Sequence, residues 1–287
     1  MPFFKPIYIL ISATCICVFL SSCKKFDKNE EIPSYINVSK CILSCDSTLQ
    51  GSTQHKISDV WVNIDGNLQG TYELPVTFPV IAEGAHTLTL RAGIKVNGIS
   101  ANRAVYPFFS FLTMDTVFTP EKVMVLTPVY TYKPETIFEW LENFQNNGFS
   151  LDRSLKSDTT LDTVNVYGNQ ICGIFHIDAN RNVFQYQSTE AYYLPSTGGA
   201  VFLEFDYQSD HPLTVGLIVN NIQNSVENSI LTLKPHPQSF NHVYVDLTYT
   251  VTQNPNALDF NVFFGASLED GYSTGEVKID NIKLLHF

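Results

Sequence analysis

VFLEFDYQSDHPLTVGLIV, residues 201–219, decides how this chain is read. Val201, Leu203, Phe205 and Tyr207 fall on one parity, and Phe202, Glu204 and Asp206 on the other. Leu213, Val215, Leu217 and Val219 repeat the pattern after a polar break. Successive strand side chains point to opposite faces, so a period of two marks a strand. Val243, Val245, Leu247, Tyr249 and Val251 form the cleanest run, with His242, Tyr244 and Asp246 on the parity expected to face water. Phe260, Val262 and Phe264 follow, then EVKIDNIKLLHF, residues 276–287. This succession predicts a two-sheet antiparallel sandwich, a jelly roll, over residues 134–287.

The last stretch breaks its own alternation. Val277 and Ile279 share one parity, Ile282 and Leu284 the other. Either the two pairs face opposite sides, or an extra residue sits at Asp280-Asn281 as a β-bulge. At the start of the sandwich, TIFEWLENFQNNG (136–148) admits two readings. Ile137, Trp140, Leu141 and Phe144 fit helical spacing, while Phe138, Trp140 and Phe144 share one strand face. The surrounding fold selects strand for 136–145.

Ile279 to Leu284 resembles the closing strand of galactose-binding-like and carbohydrate-binding-module jelly rolls. The resemblance runs over residues 136–287 and implies a glycan ligand. It also implies a structural calcium at Asp280, with Glu142 as a first-strand carboxylate. Calcium takes six or more oxygens, and two side chains supply few of them. The alternative is that Asp280 hydrogen-bonds the backbone of the bulge. No other cofactor is expected.

Residues 34–133 read as a second β-sandwich. Val60, Val62 and Ile64 alternate with Trp61, Asn63 and Asp65, and Asp65-Gly66 is a preferred two-residue hairpin turn before Leu68 to Tyr72. Glu83-Gly84 is another turn signal, ahead of Leu88 and Leu90. Ala104–Leu112 and Glu121–Val125 add further strand candidates, and Trp61 is assigned to core or rim. Strands spaced by Gly, Pro and Asn argue a sandwich. The step Gly84-Ala85-His86-Thr87-Leu88 resembles small bacterial immunoglobulin-like modules. The expected fold class is therefore all-β, two β-sandwich domains, an Ig-like sandwich followed by the jelly roll.

Ahead of them lies a processing signal. Ile7 to Leu20 is almost wholly apolar, and as a helix it would rise about 21 Å, short of a hydrocarbon core of about 30 Å. That suits a signal-peptide core over residues 1–22. Leu20-Ser21-Ser22-Cys23 resembles the lipobox of bacterial lipoproteins, which implies lipidation of Cys23 and membrane anchoring. Residues 23–33 then hold the lipidated cysteine and a polar tether. Asp27, Glu30 and Glu31 loosely resemble the acidic stretch that displays some Gram-negative lipoproteins on the outer face of the outer membrane. The folded part keeps Cys41, Cys45 and Cys172, an odd set that forms no complete disulfide framework. In a strand Cys41 and Cys45 would stand about 13 Å apart, so a bond between them requires a turn.

The formal net charge of −11 becomes −12 without residues 1–22, which hold Lys5 and no acid. A chain this acidic, with no basic stripe, is not a nucleic-acid binder. It holds no phosphate loop, Gly-x-Ser-x-Gly elbow or His-Glu-x-x-His. His236 and His242 form no metal pair by spacing. Asp178-Ala179-Asn180-Arg181-Asn182 lacks the glycine and glutamate of a calcium loop and reads as a hairpin turn. Glu139/Glu142, Glu204/Asp206 and Glu269/Asp270 are paired carboxylates without a cleft to place them. Tyr186, Tyr192, Tyr193 and Tyr272 are the candidate glycan contacts, because sugars stack on aromatic rings. The expected function is a non-enzymatic glycan-binding lipoprotein. A structural or assembly subunit contacting other envelope proteins is the alternative, and a glycoside hydrolase a distant third. Globomycin treatment of the producing cell is expected to accumulate precursor; its failure to do so would remove the lipobox reading.

Overall fold

A computed structural model describes residues 31–146, 148–167 and 170–287. The signal peptide, Cys23 and the tether up to residue 30 lie outside the described residues.

The fold is all-β. β1 (Ser34–Val38), β2 (Ile42–Leu43), β3 (Asp59–Ile64), β4 (Asn67–Glu73), β5 (Val76–Val80), β6 (Gly84–Lys95), β7 (Arg103–Val105), β8 (Leu112–Phe118), β9 (Val123–Leu126) and β10 (Val129–Tyr130) come first. β4-β3-β6-β7 form one sheet, with β8 also on β6; β5-β1-β9 and β10-β2 form two smaller ones. Their apolar parities meet in one core around Ile36, Val38, Val60, Val62, Leu88 and Leu90. Asp65 and Gly66 both take positive φ, 50° and 79°, as a tight hairpin between twisted strands requires.

The remaining strands are β11 (Ile137–Glu142), β12 (Leu151–Arg153), β13 (Leu161–Tyr167), β14 (Gln170–Asp178), β15 (Val183–Ser188), β16 (Val201–Ser209), β17 (Leu213–Asn220), β18 (Ser225–Leu233), β19 (His236–Asp246), β20 (Asp259–Ser267) and β21 (Thr274–His286). One sheet runs β13-β14-β21-β16-β19, with β11 also on β21; the other runs β12-β15-β20-β17-β18. The order β14-β21-β16-β19 facing β15-β20-β17-β18, all antiparallel, is that of an eight-stranded jelly roll. Residues 137–142 are strand, and Phe144 at φ 56° turns the chain away. Asp178 and Arg181 close a hairpin between β14 and β15.

The irregularity in the last strand is a bulge. Glu204 pairs with Lys283 while Asp206 pairs with Asp280, so β21 spends one more residue than β16 over the same step, and Asn281 takes φ 52°. The extra residue brings Val277, Ile279, Ile282 and Leu284 into the same core. Cys41, Cys45 and Cys172 are free thiols, so the bond left open between Cys41 and Cys45 is not formed.

Two expectations are overturned. The strand run expected at 243–251 stops at Asp246, and Thr248–Thr252 is a short helix. The outward parity of β16, β19 and β21 does not face water, because the N-terminal sandwich packs on it. Phe202, Tyr244 and Leu285 belong to the N-terminal core, where the Tyr106 ring lies 5.5 Å from Phe202 and 4.7 Å from Tyr244. The turn after β6 also caps the free edge of β19. Asn97 N donates to the Tyr244 carbonyl at 2.8 Å, and Asp246 N donates to Asn97 Oδ1 at 2.9 Å.

Polar residues caught between the two units form a buried network. Glu204, at 0% exposure, accepts from the hydroxyls of Tyr106 (2.5 Å) and Tyr132 (2.8 Å). Lys283 Nζ lies 3.7 Å from the same carboxylate and donates to Tyr132 Oη and to the Ser52 carbonyl. His242 stands between Asp206 (2.8 Å) and Glu204 (3.7 Å), and Asn281 donates to Asp206 Oδ2. Burial alone would raise Glu204, but Lys283, His242 and Tyr106 outweigh it and hold the carboxyl below its usual range. Burial likewise opposes the charged His242, and Asp206 and Glu204 reverse the sign and raise it. Asp280, beside Asp206 and Glu142, is pushed up by burial to about 7.

Two outcomes follow from this network. Removing one partner of a buried charge set strands the others, so Glu204→Ala should cost about 3–5 kcal/mol in urea unfolding. A cost below about 1 kcal/mol would show that the network does not hold the units together. The raised groups also fix a pH slope. Asp280 and His242 bind protons more tightly folded than unfolded, so their contribution is lost as pH rises through their folded values. Tm should therefore fall from about pH 5 to about pH 8. Asp280→Asn, which mimics the protonated acid, should flatten the Asp280 part of that slope; an unchanged slope would refute it.

Candidate ligand groove

The jelly roll has two outward sheet faces, and the N-terminal sandwich covers one. The face of β12-β15-β20-β17-β18 is uncovered, and strand register places its outward residues in rows. Gln185, Gly265, Thr214 and Thr232 align across β15, β20, β17 and β18. The next row is Gln187, Phe263, Gly216 and Ser229; the one after holds Asn261, Ile218 and Glu227. Asn220, Asp259 and Ser225 close the series. Their partners on the other parity, Phe184, Val215, Leu217, Val262 and Phe264, fill the core.

This face is concave. A cavity of about 370 Å³ opens at its first rows, lined by side chains that include Lys156, Gln185, Thr214, Thr232, Ser267 and Glu269. Its lining is mixed: Val183, Pro212 and Ala266 stand beside the amide and hydroxyls, and Gly265 opens space between Gln185 and Thr214. Ser154 Oγ donates to Gln185 Oε1 at 3.2 Å, which fixes that amide with its nitrogen free to donate. At the far end Asn220 Nδ2 donates to Asp259 and Asn261, and Asn261 donates to the carbonyls of Ser188 and Glu190. The amides there are held by protein, and those beside the cavity are not bound at both ends.

The four tyrosines singled out in the sequence part company. Tyr272, 55% exposed, lies at the cavity's margin: its N–H donates to the Glu269 carbonyl, and its ring packs edge-on, 4.9 Å from His211, the neighbour of Pro212 in the cavity wall. Tyr186, 5% exposed, is a core residue instead, its hydroxyl accepting from Leu161 N and donating to the Thr159 carbonyl. A ring inside the sandwich cannot stack on a ligand, and the expectation for Tyr186 is corrected. Tyr192 is half-buried on Trp140, centroids 6.0 Å apart, and its backbone bridges Phe260 at the opposite end of the sheet. Tyr193 is exposed beside it. None of the four tyrosines lines the cavity; Tyr272 comes nearest, through its hydrogen bond to Glu269 of the wall. The groove's polar residues, Gln185, Thr214 and Thr232, carried no motif.

The two carboxylates expected at a calcium are occupied by protein donors. Glu142 accepts from Phe144 N, Ser150 N and Ser150 Oγ, and Trp140 Nε1 donates to that same hydroxyl. Asp280 accepts from Gln170 Nε2 and Asn281 N, both at 2.7 Å, the second being the bulge's own hydrogen bond. Among the described residues no group of three or more His, Cys, Asp or Glu side chains converges as a metal site.

No known protein family matches this chain, and no curated protein does. Among solved structures it is similar to the enzymatically active domain of bacteriophage CBA120 tailspike protein 4, at 16% identity and TM-score 0.40, over 59% of this chain and 26% of that one. It is similar to a mutant of the family 29 carbohydrate-binding module CBM29-2 complexed with mannohexaose, at 14% identity and TM-score 0.35, over 53% and 92%. The C-terminal family 22 module of Clostridium thermocellum Xyn10B is similar at 14% identity and TM-score 0.36, over 52% and 94%. The chain spans about a quarter of the tailspike chain. At these scores the likeness says nothing of a ligand.

Proposed function

We propose that this protein is a non-enzymatic, lipid-anchored glycan-binding protein of a Gram-negative outer membrane, and that its ligand lies in the groove of the uncovered sheet. One observation carries the reading: the uncovered sheet face is concave and holds a cavity in which Gln185, Thr214, Thr232 and Ser267 stand among apolar Val183, Pro212 and Ala266, with exposed Tyr272 hydrogen-bonded to Glu269 of its wall. Sugar hydroxyls are both donors and acceptors, and amide and hydroxyl side chains match them in both roles. Tyr272 offers a ring face to the apolar side of a pyranose. Of the carboxylates at the groove, Glu227 is paired with Lys156 and Glu269 stands at the rim. The Ig-like sandwich would then serve as the support that covers the other sheet and orients the groove.

A glycan array with residues 24–287, which contain every described strand, tests this. Binding should appear, and Tyr272→Ala should weaken it at least about tenfold, roughly 1.4 kcal/mol, without lowering Tm. Gln185→Ala should weaken it as much, at some cost in Tm because its amide is buried on Ser154. A blank array across plant, host and microbial glycans would overturn the reading. It would favour the second one, an envelope-assembly subunit, for which exposed Val117, Val123 and Val125 on β8 and β9 supply an apolar strip. Crosslinking through that strip in intact cells would then be expected.

A further inference from the structure

The groove is not open along its whole length. The chain after β12 continues beside β15, with Ser154 N on the Gln185 carbonyl and Asp158 N on that of Val183, and Lys156 projects from this margin. Its Nζ meets Glu227 Oε2 at 2.6 Å, on β18 at the opposite margin. Four strand spacings separate the two margins, about 19 Å in a flat sheet. One lysine and one glutamate side chain cannot span that, so the sheet curls its margins toward each other and the ion pair bridges them.

Between the two margins lie residues that face out of the sandwich and are buried all the same. Phe263 is 3% exposed, and Gly216, Ile218 and Asn261 are also buried. The Phe263 ring rests on Gly216, where an added Cβ would come within 2.5 Å of it. The cavity of Gln185, Thr214, Thr232 and Gly265 lies to one side of this closed stretch, and Asn220 and Asp259 lie to the other.

We propose that the Lys156–Glu227 pair determines which part of a glycan the groove accepts. With the pair formed, the groove is a blind cavity that admits a chain terminus. An internal segment would have to run on through the rows that the pair closes. The inference rests on the glycan-binding reading and adds its selectivity. Lys156 is exposed over more than half its side chain, and an exposed pair contributes little to stability, so it can be removed without unfolding the sandwich.

Titration of residues 24–287 with six-unit β-1,4-linked oligosaccharides of mannose, xylose and glucose, and with the matching soluble polymers, tests it. The wild type should bind one protein per chain whatever the chain length. Glu227→Gln should retain the hexamer affinity within about threefold, and both Glu227→Gln and Lys156→Ala should load several proteins on each polymer chain. Several wild-type proteins per polymer chain, or variants that keep one per chain, would overturn the selectivity and leave glycan binding standing. No binding by any of the three proteins to any probe would bring down both readings.

Discussion

Glu204 is the constraint on which the rest of the structure depends. A carboxylate with no solvent exposure costs several kcal/mol unless its partners are in place. Those partners come from both halves of the chain: Tyr106 and Tyr132 from the first, Lys283 and His242 from the second. Neither sandwich alone satisfies the charge. Two units joined through such a carboxylate are held in one orientation, because hydrogen bonds of 2.5 and 2.8 Å tolerate little sliding. Phe202, Tyr244 and Leu285 supply the apolar part of the same junction.

That junction assigns different work to two sheets built on the same alternating pattern. One is covered along β16, the end of β19 and the end of β21, where outward side chains are drawn into the N-terminal core and the polar network, while the side chains of His176 and Glu276 nearer its other edge reach solvent. The other keeps its outward side for solvent and curls until its margins meet over Phe263. The free face of the jelly roll is thus chosen by exclusion as much as by composition, since the N-terminal sandwich covers the other sheet.

Much of the fold was legible. Alternation at 201–219 and 243–246 identified strands, although the same alternation through Leu247, Tyr249 and Val251 falls on a short helix. Asp65-Gly66 identified a hairpin, and the parity break at Asp280-Asn281 left a bulge as one of two options. What parity cannot say is what lies against a face. Glu204, Asp206 and His242 look like a wetted side because they are charged, yet Phe202, Tyr244 and Leu285 share that side and carry the apolar signal of a partner. The groove was less visible still. Gln185, Thr214 and Thr232 are ordinary outward polar residues, and only the curvature of strands far apart in sequence gathers them. Tyr186 misled because a tyrosine hydroxyl can be satisfied inside a core as readily as by a sugar.

The position of β21 in the chain has a consequence for how the protein is made. This strand pairs with β11, β14 and β16 and carries Lys283, yet it follows every other strand in order. A chain emerging from its N-terminus therefore holds β14 and β16 apart, and Glu204 without its lysine, until residues 274–286 arrive. Contacts of such separation close late. Until then the jelly roll has no middle, and neither its central sheet nor the junction with the first sandwich can close.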